Sequence, residues 1–238
     1  MKVCYKIADV LIEINHLFDS VARYLENFAL KGYNGVCDLT ISVDRADVER
    51  AMALYETNSP DHGECLLILA KIAEFIYKNK NGALFHSSVI KVKNKAIMFS
   101  APSGTGKSTH AKLWVDSFDD VICLNDDKPF IRNVLSLPIC YGSPWQGKHR
   151  KGVNDSAVIE AICFIERANE PKVERLSAKQ ALPLILNQMV RYYENENSAD
   201  QQLEFAVQLI NSVKVYKIYV NMERESAIAV RRGVLGDV

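Results

Sequence analysis

The sequence predicts an α/β fold with a small β-rich N-terminal region, and two observations carry that prediction. Strand-like and helix-like segments alternate from Ala83 onward, and a glycine-rich loop joins an apolar strand to a helix at residues 100–109. A chain of 238 residues with 48% hydrophobic content can bury a full core, so one domain with a small appendage is expected.

The elements follow in chain order. Between Tyr5 and Ile14, the residues Ile7, Val10, Leu11, Ile12 and Ile14 have the β-branched character of a strand. Cys37 to Val43 alternates Leu39, Ile41 and Val43 with Asp38, Thr40 and Ser42, a second strand pattern. Turn chemistry at Ser59-Pro60-Asp61-His62-Gly63 places a boundary there, which gives a β-rich region over residues 1–60 and a larger domain over 61–238. Glu64 to Lys78 repeats Leu66, Leu69, Ala73, Ile76 and Tyr77 at helical spacing. After Asn81-Gly82, Ala83 to Val92 and Ala96 to Ser100 read as two strands joined by the turn Lys93-Asn94-Lys95. Lys107 to Phe118 then reads as helix, Val121 to Leu124 as strand and Val158 to Ile165 as a buried strand. Leu176 to Tyr193 and Gln201 to Ile210 read as helices, Lys214 to Val220 as a strand and Glu223 to Arg232 as a closing helix.

Charge and cysteine usage exclude several classes of function. The 29 basic and 29 acidic side chains cancel, which removes the positive field of a general nucleic-acid or anionic-membrane binder. No apolar run is long enough to span a bilayer, and Lys2, Lys6, Asp9 and Glu13 break up any signal-peptide core near the N-terminus. Cys4, Cys37, Cys65, Cys123, Cys140 and Cys163 show no Cys-x-x-Cys pair, so reduced thiols in a cytoplasmic protein are the expectation.

The loop carries the chemistry. In Ser100-Ala101-Pro102-Ser103-Gly104-Thr105-Gly106-Lys107-Ser108-Thr109, two glycines let successive backbone N–H groups turn inward at a helix N-terminus. Lys107 can reach β and γ phosphate oxygens and Ser108 can ligate Mg²⁺, so residues 103–109 are expected to hold ATP. A glycine-rich surface turn is the bland alternative. Ala101 stands where the usual pattern begins with glycine, so its φ should stay out of the left-handed region. Nineteen positions beyond Lys107 come Asp126 and Asp127, whose side chains should diverge on an extended backbone. One suits Mg²⁺ and the other an acceptor hydroxyl, although a capping pair before Pro129 would look the same. His86, one strand before the loop strand, is either an interior histidine or part of the site. The stretch from Gly142 to Lys151 reads as a loop facing phosphate or substrate, or as a basic turn with Trp145 in the core; Trp114 reads as core.

His86-Ser87-Ser88, the Pro-Ser-Gly-Thr-Gly-Lys-Ser-Thr loop and the closely following Asp126-Asp127 resemble the C-terminal catalytic domain of HPr kinase/phosphorylase, a relative of phosphoenolpyruvate carboxykinase. Tyr141 to Lys148 is similar to a segment of the small kinases that tailor ribosomally made peptides, the lasso-peptide kinases among them. The resemblance implies a P-loop core with a mixed sheet, use of ATP and Mg²⁺, and transfer to a serine of a peptide or protein. It implies that His86 and Asp127 assist deprotonation of the acceptor and that Asp126 serves Mg²⁺. The Glu-x-Arg-Gly-x-Gly segment of HPr kinases is missing here, and Lys148 or Arg150 is the expected replacement cation. A kinase of a small hydroxylated metabolite and a non-catalytic nucleotide-binding module remain as alternatives, and a homo-oligomer remains open.

Overall fold

The computed structural model describes residues 2–147, 152–190 and 196–236. The chain forms two compact units, Met1–Lys80 and Asn81–Val238. Its class is α/β, with a mixed sheet in the second unit and a small three-stranded sheet in the first.

In the first unit, β1 (Lys2–Ile7) and β2 (Val10–Asn15) form an antiparallel hairpin, and β3 (Leu39–Ser42) adds in parallel to β2. The Tyr5 to Ile14 run is therefore not one strand. Ala8 and Asp9 turn it back at φ of 51° and 56°, a left-handed pair whose twist suits a two-residue hairpin. Val10, Ile12 and Ile14 alternate inward. Three helices accompany the sheet: α1 (Asp19–Tyr24), α2 (Arg45–Leu54) and α3 (Pro60–Asn79). Ser59 caps α3 by accepting the His62 N–H, and Pro60 fills the first helical position, where its missing N–H costs nothing.

The chain divides after Lys80 and not at residue 60 as the sequence suggested. The Ser-Pro-Asp signal marks a helix start, and the apolar face of that helix, with Ile68, Ile72 and Ile76 fully buried, belongs to the first unit. Here also the thiols of Cys4 and Cys37 come within 3.7 Å, and burial with the neighbouring thiol pushes Cys37 up to about 11. All six cysteines are unbridged.

Among its described residues the second unit has nine strands: β4 (Gly82–Leu84), β5 (Ser88–Val92), β6 (Lys95–Ser100), β7 (Val121–Asn125), β8 (Phe130–Val134), β9 (Leu137–Tyr141), β10 (Ser156–Arg167), β11 (Lys172–Arg175) and β12 (Lys214–Val220). The main path runs β4-β8-β9-β10-β6-β5-β7, and β12 pairs with both β10 and β11. β10 is parallel to β6 and β12 and antiparallel to β9. Helices α4 (Lys107–Ser117) and α7 (Arg224–Leu235) cover one face, while α5 (Ala178–Leu186) and α6 (Glu196–Ser212) cover the other.

The strand period sorts the two apolar layers. On β6, Ile97 and Phe99 face the α4 side with Trp114, whereas Met98 faces the α5 and α6 side. Trp114 is fully buried, as its place on the loop helix suggested.

Ala83 to Val92 is two strands in separate parts of the sheet, since β4 pairs with β8 and β5 pairs with β6 and β7. The break at 85–87 occurs because those N–H groups bond elsewhere, to Pro129, Gln188 and Asp127 carbonyls. Strands β8, β9 and β11 escaped the sequence reading, and the helix expected over Leu176 to Tyr193 is α5 alone among the described residues. No described helix is long and apolar enough to cross a membrane.

Candidate active site

β6 delivers the chain into the glycine loop and α4 receives it, so residues 101–106 turn between a strand end and a helix N-terminus. Gly104 and Gly106 have φ of 78° and 117°. A Cβ at either would meet no atom within 4 Å, so these glycines are required for backbone conformation and not for space. Ala101 stays out of the left-handed region, as its side chain demands. Lys107 is buried, and its Nζ donates to the Ala101 carbonyl at 2.9 Å, bracing the loop across its own span. Burial holds Lys107 below its ordinary range; the Asp127 charge opposes this and Lys128 adds to it.

A second cation reaches the loop that sequence reasoning missed. Arg167, at the end of β10, donates from Nη2 to the Gly104 carbonyl at 2.7 Å and from Nε to the Thr105 carbonyl at 3.0 Å. It lies more than sixty residues from the loop in sequence, so no local spacing could have signalled it.

Ser108 opens the other side of the site. Its Oγ is 3.2 Å from Ser88 Oγ and 3.4 Å from the Asp126 carbonyl, which Ser88 also approaches at 3.2 Å. The aspartates diverge as adjacent extended residues should. Asp126 is buried and its carboxylate accepts the Gly147 N–H at 2.5 Å. Asp127 instead meets His86 Nε2 at 3.1 Å and Lys128 Nζ at 3.4 Å through the same oxygen. Burial raises the Asp127 carboxyl, but the His86 hydrogen bond and the Lys128 charge outweigh it and hold the group below its ordinary value. His86 is placed by its own N–H, which donates to the Gln188 carbonyl at 2.9 Å, and by the Ser87 N–H, which donates to the Asp127 carbonyl at 3.1 Å.

Of the two readings of the segment from Gly142, the described residues bear out the one that put Trp145 in the core. Its described residues, 142–147, form an inner brace under the aspartates. Ser143 is fully buried; its Oγ donates to the Lys128 carbonyl at 2.6 Å and the Asn125 amide donates to its carbonyl at 3.1 Å. Trp145 is buried edge-on against Phe130. Gly142 has no room for a side chain, because a Cβ there would fall 1.9 Å from the Val153 carbonyl oxygen. Lys148 and Arg150 lie outside the described residues.

Among the described residues no three His, Cys, Asp or Glu side chains group as a metal site. Mg²⁺ needs fewer protein ligands than that, since it keeps waters and takes phosphate oxygens. The oxygen-only neighbourhood of the Ser108 and Ser88 hydroxyls and the Asp126 backbone carbonyl fits such a hard cation.

The structure thus gathers Lys107, Ser108, Asp126, Asp127 and His86 at one end of the sheet, with Ser103, Thr105 and Thr109 on the loop and the first turn beside them. No protein-family model matches the sequence. No curated protein matches it. Among solved structures, the HPr(Ser) kinase/phosphatase from Coxiella burnetii is similar, with 11% sequence identity and a TM-score of 0.38. The match covers 64% of this chain and 96% of that one.

Proposed function

We propose that this chain is an ATP-dependent kinase that transfers the γ-phosphoryl group to a serine or threonine hydroxyl of a peptide or protein. The observation that carries the proposal is the His86–Asp127 pair at 3.1 Å, set close enough to the phosphate loop for Asp127 to bias the ionisation of Lys107. A module that only bound nucleotide would need the loop but not this pair.

In the proposed reaction the acceptor oxygen forms a bond to the γ phosphorus as the bond from that phosphorus to the β–γ bridging oxygen breaks. The electron pair leaves with ADP, and the hydroxyl proton passes to Asp127. His86 and Lys128 keep Asp127 ionised and fix its orientation, while Lys107 at the helix N-terminus offsets phosphate charge. Mg²⁺, held by Ser108 and Asp126, would neutralise charge on the β and γ oxygens. Most of the rate enhancement in such a site comes from positioning.

A flexible acceptor suits this geometry, because its hydroxyl must reach an in-line position that a folded surface seldom offers. A ribosomally made peptide carrying a serine is the acceptor class favoured by the likeness of the Tyr141 to Lys148 segment to the peptide-tailoring kinases. The test is mass spectrometry of serine-containing peptides and small hydroxylated metabolites after incubation with ATP and Mg²⁺. Addition of one phosphoryl group to peptides is expected, and a gain confined to the metabolites would replace the peptide with a small-molecule acceptor.

A further inference from the structure

In the first unit the path of the chain brings two thiols together. Leu30 donates its N–H to the Cys4 carbonyl at 2.8 Å and Ala29 bridges Tyr5, so the chain leaves the sheet at the edge of β1. It returns at Asp38, whose N–H donates to the Leu11 carbonyl at 2.8 Å and whose carboxylate accepts the Leu11 N–H at 2.9 Å, just before β3 joins β2. Because the strand order is β1-β2-β3, residues 31–37 must cross one face of the sheet. Tyr5, Ile7, Ile12 and Ile14 are fully buried, so alternation puts Cys4 and its cross-strand partner Glu13 on the opposite face. The crossing runs over that face, since Cys37 meets Cys4 there.

The two sulfurs are 3.7 Å apart, with the Cys37 thiol donating to Cys4, and both residues are half-buried. A disulfide holds its sulfurs at about 2.05 Å, so closure asks for a movement of about 2 Å. Asn34, Gly35 and Val36, which lead into Cys37, are exposed and can supply it. The surroundings suit thiol chemistry. Lys2, ion-paired to Glu13 at 2.7 Å, is near enough for both thiols to act on its charge, and a neighbouring cation favours the thiolate that reacts. Burial first, then the hydrogen bond to Cys4 and the Glu13 and Asp38 charges, keep Cys37 protonated. Cys4, the acceptor of the pair, is the sulfur set to attack. Cys65, Cys140 and Cys163 are buried, out of reach of a small oxidant.

We propose that Cys4 and Cys37 are a redox-active dithiol, which a small-molecule disulfide oxidises to a reversible bridge across the sheet. The Cys4 thiolate attacks one sulfur of the small molecule, whose S–S bond breaks. A mixed disulfide forms on Cys4, and the released thiolate takes up the proton that Cys4 had lost. Cys37 then attacks the Cys4 sulfur and displaces the second small thiolate, which leaves with the Cys37 proton. Two protein thiols are oxidised and one small disulfide is reduced to two thiols, so electrons and protons balance. The bridge joins positions 33 residues apart and fastens the crossing segment to β1, which removes freedom from the unfolded chain. The phosphate loop lies in the other unit, so this site stands without the kinase reading.

The experiment treats the full chain with oxidised glutathione and maps its peptides by mass spectrometry without reduction. Wild type is expected to give a linked pair of peptides carrying Cys4 and Cys37, which reduced glutathione returns to two thiols. By circular dichroism the bridged form should melt about 5 °C or more above the reduced form. Cys37→Ser should stop at glutathione on Cys4, and Cys4→Ser should leave Cys37 as a thiol. Two thiols that stay free in wild type, or that each collect glutathione without bridging, would overturn the proposal, and neither result depends on a variant that folds. A bridged form that melts no higher than the reduced one would overturn the fastening of the crossing segment. Glutathione on Cys37 in Cys4→Ser, with none on Cys4 in Cys37→Ser, would overturn the order of attack.

Discussion

In the N-terminal unit His16 Nδ1 meets Glu64 Oε1 at 3.3 Å with both side chains wholly buried, while in the second unit His86 Nε2 meets Asp127 Oδ1 at 3.1 Å with 35% and 34% of the side chains exposed. The buried pair is saturated. Glu64 also accepts the Leu17 and Phe18 N–H groups at 2.9 Å, and His16 Nε2 accepts the Tyr5 hydroxyl at 2.7 Å. Burial, reinforced by the Glu64 charge, pushes the Tyr5 phenol well up, so it remains a hydrogen-bond donor. The second pair has Lys128 on one side and solvent on another. The same two functional groups therefore serve opposite ends. Where every lone pair is taken the pair fastens a turn to a helix, and where an edge is open it can move a proton.

The largest effect that would separate the two pairs is on rate. Asp127→Asn is expected to lower phosphoryl transfer by about 10²–10⁴-fold with nucleotide affinity retained, because only the acceptor proton is affected. Stability should move by less than about 1 kcal/mol, since the pair is partly exposed. A loss of nucleotide binding in parallel with turnover would reverse the roles given to Asp126 and Asp127.

Glu64→Ala should do the opposite. It leaves buried His16 and two part-buried N–H groups without their acceptor, a change that costs roughly 3–5 kcal/mol. The readouts are the urea midpoint by circular dichroism and hydrogen exchange at Leu17 and Phe18. An unshifted midpoint would mean that the buried network contributes nothing to stability.

Lys107→Met comes next, with transfer reduced by roughly a hundredfold. Thermal stability should be preserved or raised, because the substitution removes a desolvated cation whose charged form is disfavoured by burial. A stability loss with normal turnover would make Lys107 a structural brace only.

Gly147→Ala tests the support beneath Asp126. A Cβ there would lie 3.0 Å from Asp126 Oδ2, so the carboxylate must shift. The expected result is a rise of about tenfold in the Mg²⁺ concentration needed for half-maximal transfer, with little change for ATP. An unchanged Mg²⁺ requirement would remove Asp126 from the metal site.

The smallest effect is in pH. Because Asp127 is held below the ordinary carboxylate value in the folded chain, the pair stabilises the fold fully above that value and loses its contribution as pH falls through the folded one. Transfer should follow the same acid limb. His86→Gln removes the larger of the lowering influences, so the limb should move to higher pH in a pH–rate profile.

How much of this was legible beforehand depended on range. The loop from Ser100 to Thr109 could be read because glycine conformation, helix start and phosphate chemistry all act within ten residues. The divergent directions of the Asp126 and Asp127 side chains followed from extended geometry alone. Hairpins were hidden where left-handed turns use residues other than glycine or asparagine: Ala8-Asp9 between β1 and β2, and Leu135-Ser136 between β8 and β9 at φ of 50° and 66°. Such turns are held by the ladders on either side, which composition does not reveal.

The sequence by itself determined the α/β class, the loop and the identity of its lysine, serine and aspartates, because local backbone preference and side-chain chemistry specify each of them. Tertiary structure decided the rest. It assigned α3 to the first unit, turned Ser143 and Trp145 inward as a brace, brought Arg167 to the Gly104 and Thr105 carbonyls, and closed a cavity by His110 between β10, β12 and α4. Each of these joins residues far apart in the chain, and such contacts depend on strand order and helix packing that no local pattern encodes.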